Sequence, residues 1–520
     1  MSEQTNAVGS SSMTTSTTPQ TTQVGQKTVE ISIPEGEAKF HVDGSPLAKD
    51  LLYNKLSWQD PDAKFSDSYK NGSWDGYHRL YDRFDNTAPI GLLDRAVRVL
   101  EDAGYTVETD HEYPLIPPIE TEWQFDHQLR DYQVNCINDT LESRGGIISL
   151  PTGAGKTVIA LNLIHNISAQ SIVFVHTKQL LYQWRDRIKE ILGVEPGIIG
   201  DNEWSEGPIT VATMQTLNSK GTDKLDQNYG VGIFDECHRT AAAQTMQEVG
   251  LNITPMWRIG LSATPWRSTP DEEMEIEAVT GGVAAEITAT RLVKDGFLAE
   301  PQFEFLTPED ARTPNPHNGY HKVIRRCIVR NPGRNQAIAN KAAELAGDGE
   351  KVLITVDQIA HGQLLEYALS REMDQETFKD DLIDPDDIDS GELLDLLTAI
   401  EDLNQVDADV TASFLDGSAT KTQRETALSA FESGEIDILI TTLLKEGTDI
   451  PKISAIVHAE GKKSKIQRIQ RAGRALRPEN GSTATIVDVA DDGKYLGDHF
   501  EHRVQNLKEY YGDYAPDYDL

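Results

Sequence analysis

Pro151, Thr152, Gly153, Ala154, Gly155, Lys156 and Thr157 follow directly on the apolar run 146–150. That order of residue types has one strong chemical use. Glycines at 153 and 155 let the backbone enter conformations closed to other residues, so successive amides can turn toward one centre. The N-terminus of the following helix adds its own N–H groups, and together they cradle phosphate. In such a loop Lys156 meets the β- and γ-phosphates of ATP, and Thr157 holds Mg2+. The fullest form of the pattern has glycine where this chain has Leu150. A Gly-rich turn with no ligand is the bland alternative, and the strand–loop–helix setting argues against it.

Phe234-Asp235-Glu236-Cys237-His238 closes a second apolar run. At such a strand end an aspartate serves the metal in phosphate-loop proteins, and the adjacent Glu236 suits a general base toward water. Acidic pairs are common on surfaces, so the strand-end position is what gives this pair its meaning. Ser262 and Thr264, within Gly260-Leu261-Ser262-Ala263-Thr264-Pro265, end a third run. Their hydroxyls can couple the state of the phosphates to a neighbouring domain, although a polar turn before proline looks the same.

Gln470, Arg474 and Arg477 share one later segment. The arginines lie one helical turn apart and face the same way. Two guanidiniums beside a γ-phosphate act as arginine fingers; an exposed basic helix is the alternative. The expected catalytic set is therefore Lys156, Asp235, Glu236, Gln470, Arg474 and Arg477. A triphosphate that meets both segments closes a cleft between two domains.

Those segments need a scaffold. Apolar, β-branched runs at 146–150, 171–176, 208–213, 230–235 and 257–262 alternate with helical patterns, and a second set follows at 351–356, 411–415, 436–441, 453–459 and 483–489. Short buried runs bounded by turn signals read as parallel strands. The fold class is α/β: two RecA-like, doubly wound parallel-sheet domains with a small α+β N-terminal domain. The expected boundaries are a disordered tail at 1–27, an N-terminal domain at 28–112, the first RecA-like, ATP-binding domain at 113–300, a linker or small subdomain at 301–334, and the second RecA-like domain at 335–520. Residues 372–409 carry 15 acidic residues against one lysine, Lys379. They read as a solvated, partly helical insertion.

Together these motifs resemble the superfamily 2 helicases of the DExH class, over roughly residues 125 to 500. Leu129-Arg130-Asp131-Tyr132-Gln133 looks like the adenine-reading segment of that superfamily, which implies ATP contacts from Arg130 and Gln133. The segments 175–184, 212–217 and 441–451 resemble its motifs Ia, Ib and V. The resemblance implies that Thr177, Lys178, Gln179, Thr213, Gln215, Thr441 and Thr442 grip one nucleic-acid strand. It also implies that Gly447 and Asp449 take part in coupling. Trp184 in motif Ia reads either as a core residue or as a base-stacking one. The runs 261–267 and 292–301 are similar to the XPB and phage UvsW branch, and Tyr69–Gly76, with Trp74, is similar to the N-terminal DNA-binding domain of UvsW-type helicases. The Arg-Glu-Asp triplet of XPB is absent, and no nuclease cluster accompanies the motor. The resemblance implies a DNA helicase or translocase acting on branched or forked DNA. RNA helicase, motor subunit of a restriction-type system and non-enzymatic nucleotide-gated scaffold remain as alternatives.

The chain has 520 residues, 48 Lys+Arg against 84 Asp+Glu, and a net charge of −36. A simple DNA-binding protein is basic. Acids spread along the whole chain fit a host with a molar-salt cytoplasm, a halophilic archaeon or its virus. An acidic protein that avoids nucleic acid is the other reading. No apolar run reaches the roughly 18 residues needed to span a bilayer, and residues 1–26 lack the apolar core of a secretory signal. Cys136, Cys237 and Cys327 are isolated, which argues against a zinc site or disulfide framework and fits a reducing cytoplasm. The expected state is a cytoplasmic monomer.

Overall fold

The computed structural model describes residues 27–520 except 35–36, 111–118, 120–122, 226–228, 240–248, 254, 256, 264–269, 310–311, 313, 315–316, 318, 371–396, 407, 444–452, 463–482, 516–517 and 519–520. The expected site residues Thr264, Gly447, Asp449, Gln470, Arg474 and Arg477 lie outside the described residues, as does the tail 1–26.

The first motor lobe is built on an eight-stranded sheet. In spatial order its strands are Glu203–Trp204, Gly197–Gly200, Ile209–Thr213, Ser171–Val175, Val231–Asp235, Trp257–Ser262, Gly145–Ser149 and Val283–Glu286. All neighbours run parallel except the first pair, which is antiparallel. Ser171–Val175 and Ile209–Thr213 are buried at every position. Continuous apolar strands of this kind need cover on both faces, and βαβ connections supply it. The strands carrying Asp235 and Ser262 are therefore neighbours, and the phosphate-loop strand lies next to the latter.

The second lobe has a six-stranded, wholly parallel sheet, in the order Glu300–Leu306, Thr483–Val489, Ala455–His458, Val352–Thr355, Ile438–Thr441 and Ala412–Leu415. Its first strand lies where linker was expected, at 301–334. The run Glu-Pro-Gln-Phe-Glu-Phe-Leu alternates, and an early proline suits an outer strand, where one side of the backbone needs no partner. The helix Pro332–Gly347 likewise begins before the expected boundary at 335. Four buried charged groups knit this lobe. Arg334 Nε donates to Asp491 Oδ1 at 2.7 Å, and Arg503 Nε donates to Asp488 Oδ2 at 3.0 Å.

The far end of the acidic segment also differs from expectation. Ala399, Ile400 and Leu403 are buried in the second lobe, and Val406 N donates to Ala368 O at 2.7 Å. Apolar side chains at this spacing anchor a helical turn to the core, so 397–406 is attached rather than merely solvated.

The N-terminal unit holds a four-stranded sheet in the order Thr87–Pro89, Lys39–Asp43, Thr28–Ser32, Thr106–Asp110. The helix Leu93–Asp102 buries Leu93, Ala96 and Leu100 against it, and Gly104, at φ +79°, releases the chain in the left-handed conformation glycine tolerates. The unit does not float free. The motor helix Pro270–Thr280 places Met274 and Ala278 in its core and Ile276 and Val279 in the motor core. Arg95 Nε donates to Glu277 Oε2 at 2.6 Å across the seam. Gly91 allows the closest approach, since a Cβ there would lie 2.1 Å from Glu277 O.

The lobes meet beside their covalent connection. Thr290 Oγ1 of the first lobe donates to Tyr511 O of the second at 2.9 Å, and within the second lobe the Tyr511 ring meets Phe303 edge-on at 5.2 Å. The three cysteines are free and buried. Among the described residues no helix is long and apolar enough to cross a membrane.

Candidate active site

The phosphate loop leaves its strand at Leu150, which is fully buried and donates its N–H to Ser262 O at 3.0 Å. Leucine at the usual glycine position thus sits in the core, behind the loop. Gly153 and Gly155 both take positive φ, +85° and +83°. A side chain at 155 would also meet Gln133, since a Cβ there would lie 2.4 Å from Gln133 Nε2. The helix Lys156–Ile167 begins at once, with its first N–H groups facing the loop.

Lys156 Nζ donates to Leu150 O at 3.0 Å. The ammonium therefore rests on its own loop, a weak neutral acceptor that a phosphate oxygen can replace. Tyr132 Oη donates to Ala154 O at 2.7 Å, and Gln133 Nε2 donates to the same oxygen at 3.3 Å. Gln133 Oε1 accepts from Arg130 N at 2.9 Å. The Arg130 guanidinium lies 5.0 Å from the centre of the Phe297 ring, which packs on Tyr132 at 4.9 Å. Arg130 and Gln133 are thus joined to the loop. Tyr132 and Phe297, which carry that junction, were expected only as members of the runs 129–133 and 292–301. Phe297 is far off in the chain, and only the fold brings it here.

Asp235 ends its strand with both oxygens engaged. Oδ2 accepts from Trp184 Nε1 at 2.8 Å, and Oδ1 accepts from Glu236 N at 3.1 Å. Loss of water around this carboxyl, and then the neighbouring Glu236 carboxylate, push its pKa up to about 7. The Trp184 hydrogen bond and the Lys156 charge oppose that rise. Glu236 adopts φ +49°, a conformation that costs a non-glycine residue about 1–2 kcal/mol. The strain holds its carboxylate beside His238, whose Nδ1 lies 3.4 Å from Glu236 Oε2 and 3.1 Å from Ser262 Oγ. His238 and Ser262 are buried. The one nitrogen Nδ1 thus lies between the Glu236 carboxylate and the hydroxyl of the next strand, and the two compete for it. His238 could have been found in the sequence from its spacing after Glu236.

Hard oxygen donors at Thr157, Asp235 and Glu236 suit Mg2+. Among the described residues no group of three or more His, Cys, Asp or Glu could hold a metal by itself.

The expected strand-gripping residues divide. Thr177 caps the helix Lys178–Leu192, its Oγ1 accepting from Leu180 N at 3.2 Å. Gln179 and Gln215 are exposed, and Thr442 is half-buried. Thr213 and Thr441 are buried, and their hydroxyls are spent inside the chain. Thr213 donates to Thr216 Oγ1 at 2.8 Å and Thr441 to Leu415 O at 2.7 Å. In this structure the two hydroxyls brace the turns at the ends of fully covered parallel strands. Lys178 is ion-paired with Asp201, which also accepts from Tyr182 Oη at 2.7 Å. Trp74 is half-buried, donates to Tyr77 O at 2.9 Å, and meets His78 edge-on at 5.1 Å. His78 in turn stacks on Trp58.

Residues 126–267 match the family described as type III restriction enzyme, res subunit, and residues 389–479 match the helicase conserved C-terminal domain. A Rad25 protein of Halobacterium salinarum is 27% identical over 425 residues, covering 79% of this chain and 62% of the relative. The chain thus spans under two thirds of that relative's length. The ATP-dependent DNA helicase uvsW of Enterobacteria phage T4 is 24% identical over 478 residues, 85% of this chain and 86% of that one. Among solved structures, a fragment of an HsdR-type subunit of a type I restriction enzyme from Vibrio vulnificus superposes with a TM-score of 0.51 at 18% identity, over 75% of this chain and 68% of the other.

Proposed function

We propose, for a chain that belongs to the superfamily 2 helicases, an ATP-dependent motor that unwinds or remodels branched DNA in repair, recombination or replication restart. The observation that carries this reading is the placing of Asp235, Glu236 and His238 at the end of one strand and of Ser262 at the end of the next, which is itself paired with the strand that enters the phosphate loop. A candidate general base thus stands on the same sheet edge as the triphosphate cradle.

The residues divide the work. The amides of Gly153 and Gly155 and the ammonium of Lys156, once it leaves Leu150 O, take up the phosphates. Thr157 and Asp235 would hold Mg2+, which when bound would neutralise phosphate charge. Glu236 takes the proton of the attacking water. Arg474 and Arg477, from the second lobe, close on the γ-phosphate and draw the lobes together. Hydrolysis reopens the cleft while one grip on the strand holds, and alternating grips make a step. Contact with the backbone carries no sequence information, so recognition is structural.

DNA is preferred to RNA because the matched phage relative is a DNA helicase. The preference for branched DNA rests on the N-terminal unit, residues 28–112. It is fixed to the first lobe and offers Trp74, Tyr77 and His78 as a second surface. Two surfaces at a set distance suit a substrate with more than one arm. One chain supplies both lobes, so a monomer suffices. Three unpaired, buried cysteines fit a reducing cytoplasm.

Phosphate release measured with forked DNA, Holliday junctions, D-loops and single-stranded RNA at molar KCl tests the reading. Forked DNA is expected to stimulate most. Stimulation by RNA alone makes the chain an RNA helicase. A flat response to every substrate leaves only a nucleotide-gated scaffold.

A further inference from the structure

We infer that Trp184 is a positioning residue that links the strand-gripping end of the helix Lys178–Leu192 to the carboxylate of Asp235, so that strand binding and nucleotide binding sense each other through one indole hydrogen bond. This rests on the motor reading above and adds the element that couples its two ligands.

The geometry is specific. Trp184 is 3% exposed, within the apolar core of the first lobe. Packing alone would be satisfied by leucine or phenylalanine there. An indole brings one polar atom, a donor that cannot accept, and it meets Asp235 Oδ2 at 2.8 Å. Glu236 N holds the other oxygen at 3.1 Å. The carboxylate plane is therefore fixed from two sides, by its own turn and by a helix that follows a different strand. Thr177, Lys178 and Gln179 stand at the N-terminal end of that helix. Trp184 lies about 10 Å further along its axis. Between them the helix is rigid and well packed, with Leu180 and Leu181 buried. A shift or tilt at the gripping end must therefore move the indole. An N–H to carboxyl-oxygen hydrogen bond of 2.8 Å is directional, so the displacement reaches Asp235 rather than dissipating.

The role differs from base stacking, because the ring is enclosed. It differs from plain core packing, because Trp184→Phe keeps most of the ring and removes only the donor and some area. The test is reciprocal coupling between ligands. Affinity for a fluorescent single-stranded DNA is measured with and without a non-hydrolysable ATP analogue and Mg2+. In the wild-type chain the nucleotide is expected to change DNA affinity by at least about fivefold. In Trp184→Phe that ratio is expected to fall below about twofold. A Trp184→Phe protein that keeps the full wild-type ratio overturns the inference and leaves the motor reading intact. A wild-type ratio of one sinks the motor reading, and this inference with it.

A second measurement needs no substitution. In a nitrogen-15 indole spectrum of the wild-type chain, which has seven tryptophans, one resonance is expected to move on adding DNA alone and again on adding nucleotide alone. A surface tryptophan such as Trp74 would answer to DNA only. If no single resonance responds to both ligands, Trp184 does not couple them.

Discussion

Lys156 and Glu236 bear opposite burdens, and their substitutions should separate. Lys156→Ala removes the cation that replaces Leu150 O with phosphate as its partner, so nucleotide binding and turnover should both be lost. Glu236→Gln keeps the shape and the backbone strain but removes the base. It should still bind ATP while kcat drops by about 10²–10⁴-fold. Filter binding and phosphate release distinguish the two, and near-normal turnover in Glu236→Gln would show that the base lies elsewhere. Asp235 gives a prediction about pH. Its carboxyl is raised to about 7 in the nucleotide-free fold from an ordinary value of 3.8. A raised carboxyl contributes stability that is fully present below the unfolded value and lost as pH climbs through the folded one. Asp235→Asn should therefore melt close to wild type at pH 4 and above it at pH 8. The gap should be about 2–4 °C if about 1 kcal/mol is recovered. Equal melting at both pH values would mean that the carboxyl carries no such burden.

At the scale of elements, the helix Pro270–Thr280 has three tasks. It packs on the strands behind the phosphate loop and the Ser262 turn, and its opposite side completes the N-terminal core. Glu277 is 7% exposed and answers Arg95 across the seam. Arg95→Ala would leave that carboxylate only the more distant Arg98, at 3.9 Å, and breaking a buried pair from one side costs about 3–5 kcal/mol when fully enclosed. Arg95 is about one-third exposed, so we expect about 1–3 kcal/mol, smaller for solvent screening. Gly91→Ala should be worse, because its methyl meets backbone oxygen rather than a movable side chain. Hydrogen exchange should show faster opening of Leu93–Asp102 in both variants while the motor strands keep their protection. This level also shows where sequence is a good guide. A strand such as Ser171–Val175 was legible because burial on both faces writes a nearly continuous apolar run. Glu300–Leu306 was not, since an outer strand is half-covered and its glutamates and proline look like linker. Lys156 and Glu236 stand in short local motifs, and the contacts they make here, with Leu150 O and His238, are close in sequence. Trp184, Tyr132 and Phe297 were not legible, because each gains its meaning from a residue on another element. Thr213 and Thr441 were assigned to the strand from motif alone, and only burial reveals that their hydroxyls are already spent.

Across the whole molecule, a net charge of −36 opposes any polyanion. Lys178, a natural phosphate partner, is already matched by Asp201. Main-chain amides, hydroxyls and helix ends should therefore carry most of the hold on the strand. Single-strand affinity falls with a log–log salt slope of about −0.7 per phosphate neutralised. We expect a slope shallower than about −5, measured by fluorescence anisotropy from dilute to molar KCl; a steeper one would put several lysines or arginines on the backbone. The placement of the interlobe connection has a mechanical consequence. Glu300–Leu306 is the outermost strand of the second sheet, and Ala412–Leu415 is the outermost at the opposite edge. Five interstrand gaps of about 4.8 Å make the sheet a lever arm of about 24 Å from that pivot. A swing of roughly 8° would carry its far rim about 3.4 Å, the axial length of one nucleotide. Gearing of this kind lets a small rotation at the fulcrum advance the protein by a single base.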